Sequence, residues 1–281
     1  GIRDAQESRG LGDVYKRQYR TVTQSIFIEL FKKGAIIEDL RPNIYDPVEG
    51  TTIADAEVER QSRRTRLVDV QWTCDDGTEI VISTTRPELI CACGVVVVHP
   101  DDERYTHLIG KTIQLPLPVE GRTTSVEIRT HASVKSDFGS GVLMVCSFGD
   151  QNDVAVFREL GLTPFQAINL EGKLTDLAGP FAGMKVVEAR NAAIEYLEEQ
   201  GKLVRVVERE QEIPVSERGK NPVEIILLKE WYVKQTHAQD RMREHIEEIE
   251  FHPPRNKQFL LDWMDNTVSY THLTLPTIYS V

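Results

Sequence analysis

One continuous stretch, Asp137–Asp153, constrains the fold of this 281-residue chain more than any other. It begins with Gly139 and Gly141, passes through an apolar run and ends in Asp150 and Asp153. Such a run predicts a buried strand, and the glycines permit unusual backbone angles and close backbone approach. The two carboxylates can share the first turn of a helix, where the helix dipole favours acids. The pattern predicts either a small pocket for a cationic, hydroxylated ligand or a purely structural turn, strand and capped helix.

The composition is that of a globular protein, and its charge limits the partners that it can take. The chain is 40% hydrophobic and has no apolar run long enough to cross a bilayer, so we expect a cytoplasmic protein with a sizeable core. A net charge of -11 argues against a protein that coats nucleic acid, although it permits one that grips the end of an RNA. The basic run Arg60, Arg63, Arg64 and Arg66 favours a solvated linker over an RNA contact.

The cysteines give no sign of a metal centre or of a disulfide framework. The chain has four, and no two of them form a C-x-x-C pair: Cys74, Cys91, Cys93 and Cys146. We therefore expect reduced, mostly buried thiols and no bound metal.

Short apolar pieces that alternate with Gly, Pro and Asp clusters predict a β-rich centre. These pieces are 67–73, 79–84, 94–98, 112–117 and 125–129. Helical spacing of apolar residues predicts helices at 19–34, from about 150 onward, and at 186–200. The expected class is α/β (α+β), with a β-barrel-like domain that carries helical decoration.

The order of these predicted strands and helices indicates a domain that is inserted into a second, host domain. Parts of the host domain would remain on either side of the insertion. The β-rich part, 59–210, lies between 19–58 and 211–267, which need not belong to it. The ends, 1–18 and 268–281, differ from the rest and resemble translated sequencing-adaptor tails. We treat both ends as non-native flanks and leave them out of the fold prediction.

A second stretch, Ser83–Leu89, changes the interpretation of the first. It contains Thr84-Thr85-Arg86-Pro87-Glu88, where threonine hydroxyls can hold the oxygens of an ester and Arg86 can pair with a phosphate or carboxylate. Taken with Gly139–Asp153, it resembles the editing domain of the class I aminoacyl-tRNA synthetases, in the valyl-tRNA synthetase branch. The resemblance covers residues 19–267 and includes Arg190 and Pro222-Val-Glu224.

The resemblance implies a host with a Rossmann-type nucleotide fold that the editing domain interrupts. The HIGH and KMSKS motifs, which hold ATP with magnesium in that family, do not occur in this sequence. We therefore expect no amino-acid activation by this chain alone. Editing itself requires no cofactor or metal in that family, and the protein is expected to be a monomer.

The resemblance also implies a pocket that receives the 3′ end of tRNA(Val) carrying a misattached threonine, whose ester is hydrolysed. Asp153 would bind the α-ammonium group and Asp150 the threonine hydroxyl, although these roles could be exchanged. Arg86 and Phe138 would hold the terminal adenosine. Met144 and Cys146 would line the pocket where many bacterial relatives carry Lys and Thr, which is typical of the archaeal form. The expected pocket is Thr84, Thr85, Arg86, Phe138, Met144, Cys146, Asp150 and Asp153.

The sequence assigns no general base. His99 and His131 are candidates by residue type, but His99 lies in a His-Pro-Asp-Asp turn that favours a structural hydrogen bond. Cys146 lies in an apolar run without a partner histidine, which disfavours covalent catalysis. We expect a water molecule positioned by backbone groups and by the ribose hydroxyl of the tRNA. Two alternatives stay open: an inactive tRNA-binding or structural fragment, and an editing domain of the leucyl or isoleucyl branch.

Overall fold

The computed structural model describes residues 17–137, 139–234, 236–265 and 270–272. They form two compact units: one is Pro42–Leu227, and the other comprises the described residues on either side of it. The domain boundaries drawn at 58/59 and 210/211 stay predictions. The predicted foreign ends, 1–18 and 268–281, fall almost wholly outside the described residues.

The described residues form five α-helices, eleven strands and five short 3-10 helices. The helices are α1 Arg17–Lys32, α2 Gln151–Glu159, α3 Val186–Glu199, α4 Gln239–Glu248 and α5 Arg255–Asp265. The strands are β1 Ile36–Asp46, β2 Thr51–Thr52, β3 Val58–Cys74, β4 Glu79–Thr84, β5 Cys93–Val98, β6 Thr112–Gln114, β7 Ser125–Thr130, β8 Val142–Cys146, β9 Leu203–Ser216, β10 Glu224–Lys234 and β11 Tyr270–His272. The predicted helices at 19–34 and 186–200 are confirmed, and the β-rich centre contains β3 to β8.

A seven-stranded sheet in the order β4-β3-β6-β7-β5-β8, with β9 paired to β3, organises the unit Pro42–Leu227. The β5–β7 pair is parallel, and the other pairs are antiparallel. The sheet curls into a half-barrel, so that β4 and β8, at opposite ends of the strand order, pack near each other. The predicted mixed α/β class with a barrel-like sheet is confirmed, and this curl brings the two sequence motifs together.

Helix α2 packs on β5 and β8 through an apolar core that includes Val95, Val145, Val156 and Phe157. Gly94 is required for this packing. A Cβ atom at that position would lie 2.3 Å from Cζ of Phe157, and a buried aromatic ring has little room to move away. The position of α2, and therefore of the carboxylates at its start, depends on this contact.

The basic run at 60–66 is not a linker, and that part of the prediction was wrong, although Arg60 and Arg64 are exposed to solvent. It lies inside β3, which pairs along most of its length with β9. Arg64 lies opposite Glu210, and Arg66 lies opposite Glu208. Opposite charges on facing strands stabilise a ribbon. Within the protein, Arg63 donates a hydrogen bond to the carbonyl oxygen of Lys220 and Arg66 donates one to Oδ1 of Asn191.

In the flanking unit, α1 packs against β10 through aromatic rings. Phe27 and Phe31 each meet the ring of Trp231 edge-on, with centroids 5.5 Å apart. Strand β11 pairs antiparallel with β10, with Tyr232 opposite His272. Within the described residues, no helix is both long enough and apolar enough to span a membrane.

Candidate functional site

The end of β4 and the glycine loop before β8 touch each other. Gly139 has φ +60°, which favours glycine, and a Cβ atom there would lie 2.7 Å from Oγ of Ser83. Ser83 directly precedes Thr84, whose Oγ1 accepts a hydrogen bond from the backbone N–H of Arg86 at 3.0 Å. The loop can approach β4 this closely because Gly139 has no side chain. The two motifs therefore form one surface.

The two aspartates lie where β8 ends and α2 begins. Asp150 is the N-cap of α2, and its Oδ1 accepts a hydrogen bond from the N–H of Asp153 at 2.8 Å. Oδ2 of Asp153 accepts a hydrogen bond from the N–H of Cys146 at 3.1 Å. A Cβ atom on Gly149 would lie 2.2 Å from that Oδ2, so only glycine lets the carboxylate fold back against the strand end. The predicted Asp-capped helix is confirmed.

The carboxyl group of Asp153 is hard to ionise. Burial raises its pKa well above the ordinary value of 3.8, and the negative charge of Asp150 raises it further. The N–H of Cys146 and the positive charge of Arg86 lower the pKa but do not outweigh these two effects. Asp150, by contrast, is exposed to solvent. The two carboxylates thus lie in different environments.

Arg86 joins the first motif to the second. Its Nη1 donates a hydrogen bond to the carbonyl oxygen of Gly149 at 3.2 Å, directly before the capping aspartate. Its Nε donates to Glu88 at 3.1 Å and its Nη2 to Glu224 at 2.8 Å. Burial lowers the pKa of Arg86, but the charges of Glu224 and Glu88 outweigh that effect and raise it, so the guanidinium stays charged.

Glu88 is a buried anion at the centre of this network, and sequence reasoning gave it no role in the site. Its side chain is 0% exposed and accepts hydrogen bonds from Arg190 at 3.0 and 2.7 Å. Burial raises the pKa of Glu88, but the bonds from Arg190 and the charge of Arg86 outweigh burial and lower it. A Glu two residues after an Arg, with a second Arg far along the chain, leaves no local pattern from which this contact could be predicted.

Cys146 and Met144 lie on β8, both buried. Cys146 stands opposite Cys93 and Met144 opposite Val96 on β5. The thiol pKa of Cys146 is raised well above its ordinary value by a hydrogen bond with Cys93 and by burial, so the thiol stays protonated. Such a thiol lines a wall and is a poor nucleophile, and all four cysteines are free and buried as expected.

Behind Cys146 lies a cavity of about 10 Å³, which holds at most one water molecule. Its walls include Leu89, Ala92, Cys146, Phe148, Phe165 and Ile168. It is too small for an amino-acid side chain.

Four residues considered in the sequence analysis remain: Thr85, Phe138 and the two histidines. Thr85 is half-buried next to Arg86, and Phe138 lies outside the described residues. Nδ1 of His99 accepts the N–H of Asp101 at 3.2 Å, within its own turn. The ring of His131 lies between Ser133 at 2.7 Å and Glu159 at 3.0 Å. Both histidines hold local structure, which agrees with their omission as general bases.

Comparison with known families matches the sequence of this chain to one class of proteins. Residues 14–271 match the family described as tRNA synthetases class I (I, L, M and V), and the chain belongs to that family.

Within this class, the chain is similar to valine--tRNA ligases of archaea, as the valine-branch motifs predicted. It is 38% identical to the valine--tRNA ligase of Aeropyrum pernix over 89% of this chain and 30% of that protein. It is 39% identical to that of Nanoarchaeum equitans, over 89% of this chain and 32% of the relative. The chain thus spans about a third of the length of these relatives.

Proposed function

We propose that the unit Pro42–Leu227 is an editing domain that hydrolyses threonyl-tRNA(Val). The observation that supports this most directly is the bond from Arg86 Nη1 to the carbonyl oxygen of Gly149 at 3.2 Å. It joins the threonine motif at the end of β4 to the carboxylates at the start of α2. The resemblance of the two motifs to an editing domain suggests the reaction, and the contact between the motifs supports a shared place for it.

The chemistry follows from how little threonine differs from valine. A hydrophobic pocket cannot strongly reject an isostere that only adds a hydroxyl, and this pair of amino acids in this class of synthetase is the standard example. A second, polar site can read the hydroxyl, because a buried partner left unpaired by valine costs about 1–3 kcal/mol. Asp150 is our proposed reader of the hydroxyl. Because Asp150 is exposed in the structure, this discrimination requires that the bound aminoacyl end covers its carboxylate.

Asp153 is the proposed partner of the α-ammonium group. Burial and the charge of Asp150 raise the pKa of its carboxyl group well above that of an ordinary aspartate. An ammonium group placed against it favours the ionised form, because an opposite charge nearby lowers a carboxyl pKa. Binding of the charged substrate would thus generate the ion pair that holds it.

The hydrolytic agent in this proposal is a water molecule, positioned by backbone groups and by the ribose hydroxyl next to the ester. In this proposal neither His99 nor His131 acts as a general base, and the thiol of Cys146 stays protonated. The test is hydrolysis of a substrate that lacks the neighbouring ribose hydroxyl. We expect a large loss of rate; hydrolysis at the normal rate would contradict this step.

For the full-length protein we propose attachment of valine to tRNA(Val) with ATP and magnesium, in the cytoplasm and as a monomer. The residues of this chain do not fit an ATP site, because neither the HIGH nor the KMSKS motif occurs in it. Editing would require no cofactor.

Substrate preference tests the proposal against its alternatives. We expect this chain to hydrolyse threonyl-tRNA(Val) faster than valyl-tRNA(Val) and faster than isoleucyl-tRNA(Leu). Preference for isoleucyl-tRNA(Leu) would favour the leucyl branch. Binding of tRNA without hydrolysis of any of the three would favour an inactive tRNA-binding fragment.

A further inference from the structure

The direction in which Arg86 presents its guanidinium is fixed by two carboxylates from different parts of the chain. Its Nε donates to Oε1 of Glu88 at 3.1 Å, and its Nη2 donates to Oε2 of Glu224 at 2.8 Å. Because the donors of a guanidinium lie in one rigid plane, these two bonds determine where Nη1 points. Nη1 points at the carbonyl oxygen of Gly149, 3.2 Å away.

Glu88 is in turn held by α3. Arg190 makes two parallel hydrogen bonds to it, Nε to Oε2 at 3.0 Å and Nη2 to Oε1 at 2.7 Å. Such bidentate pairs add geometric specificity to their strength. The Glu88 side chain is 0% exposed, so the loss of Arg190 would leave a buried charge with too few partners.

A shift of Gly149 would move both carboxylates of the site. Gly149 directly precedes Asp150, and a Cβ atom on it would lie 2.2 Å from Oδ2 of Asp153. The turn is therefore packed against one aspartate and covalently joined to the other. The bond from Arg86 holds this turn at its carbonyl oxygen.

We propose that Glu88, Arg190 and Glu224 are positioning residues of the editing reaction. This inference rests on the deacylation proposed above. They hold Arg86 so that its guanidinium fixes the Gly149 turn, and this turn sets the placement of Asp150 and Asp153. They act through Arg86 and do not themselves contact the substrate.

The kinetic test substitutes Glu224, the outermost member of this network. Glu224→Ala removes one of the two bonds that orient Arg86, and a misplacement of about 1 Å can cost on the order of 100-fold in rate. We expect kcat for threonyl-tRNA(Val) to fall by about 10- to 100-fold, with KM little changed. Glu224→Gln still accepts from Nη2 and should recover part of the rate. Glu171→Gln is the matched control, since Glu171 forms an exposed ion pair with Lys173.

A second readout is independent of activity: amide hydrogen exchange of residues 146–153. The N–H groups of Cys146 and Asp153 donate to the two carboxylates, so their exchange reports the order of the turn. We expect faster exchange in Glu224→Ala, partial recovery in Glu224→Gln and no change in Glu171→Gln. β5 serves as the reference for the fold as a whole.

The kinetic and exchange measurements each test the positioning role. Unchanged exchange in 146–153, or equal acceleration in β5, would overturn the positioning role, as would an unchanged kcat. If the wild-type chain hydrolyses nothing, the proposed function fails, while local acceleration of exchange in Glu224→Ala would still show that this network holds the turn.

Discussion

Replacement of Asp153 by asparagine should stabilise the protein at high pH and leave its stability unchanged at low pH. The folded protein raises the pKa of this carboxyl group well above 3.8 through burial and the charge of Asp150. Below pH 3.8 the group is protonated in both the folded and the unfolded state, so its contribution to stability is fully present. As the pH rises through the folded pKa, the unfolded state loses its proton more readily and that contribution is lost.

The size of the effect follows from the same linkage. Each unit by which the folded pKa exceeds the unfolded one corresponds to about 1.4 kcal/mol of lost stability at high pH. The asparagine side chain would be neutral at every pH and could still accept the N–H of Cys146, now 3.1 Å from Oδ2 of Asp153. Removal of an acid from the first turn of α2 costs about 0.3–1 kcal/mol, which is less than one unit of pKa shift. The net effect near pH 8 is therefore stabilisation.

The assay is urea unfolding of wild type and Asp153→Asn between pH 4 and pH 8, with Asp176→Asn as an exposed control. We expect the difference in free energy of unfolding between Asp153→Asn and wild type to grow with pH in favour of the variant. The control should show no such trend. A difference that does not change with pH would refute the reasoning, because it would mean that folding does not shift the pKa of Asp153. Destabilisation of the variant that grows as the pH rises would also refute it, because it would mean that the ionised carboxylate supports the fold.

Three further substitutions test the site and its support. Gly94→Ala would place a Cβ atom 2.3 Å from Phe157, and we expect a loss of about 1–3 kcal/mol in urea unfolding; an unchanged midpoint would contradict this packing. Gly149→Ala should unfold like wild type, since the Asp153 carboxylate can swing aside, but hydrolyse threonyl-tRNA(Val) about 10- to 100-fold more slowly; wild-type rates would show that the placement of this carboxylate does not matter. Cys146→Ala should keep its hydrolytic activity, and complete loss in a folded variant would support a covalent mechanism instead.

Local patterns in the sequence were sufficient to predict the parts of the fold that local chemistry determines. The strands β4 to β8 lie between turn residues, and Asp150 caps α2 because a side-chain oxygen just before a helix satisfies a free backbone N–H. The motifs at Thr84 and Asp150 could be placed in one site only through their resemblance to a family. Their actual meeting depends on the curl of the sheet.

What the sequence could not show depends on long-range partners. The charges at 60–66 suggested a solvated linker. Their place in a strand could not be predicted, because the strand that pairs with them, β9, lies far along the chain. In the same way, Glu88 meets Arg190 across 102 positions and Arg86 meets Glu224 across 138. A buried ion network assembled over such separations has no periodicity by which it could be recognised.

The most direct test of the proposed editing function is the rate at which this chain hydrolyses threonyl-tRNA(Val), measured for wild type and Asp153→Ala under single-turnover conditions. We predict clear hydrolysis by wild type above the rate without enzyme, and its loss in a folded Asp153→Ala variant. Absence of hydrolysis by wild type at high enzyme concentration, or equal rates for both proteins, would contradict the account.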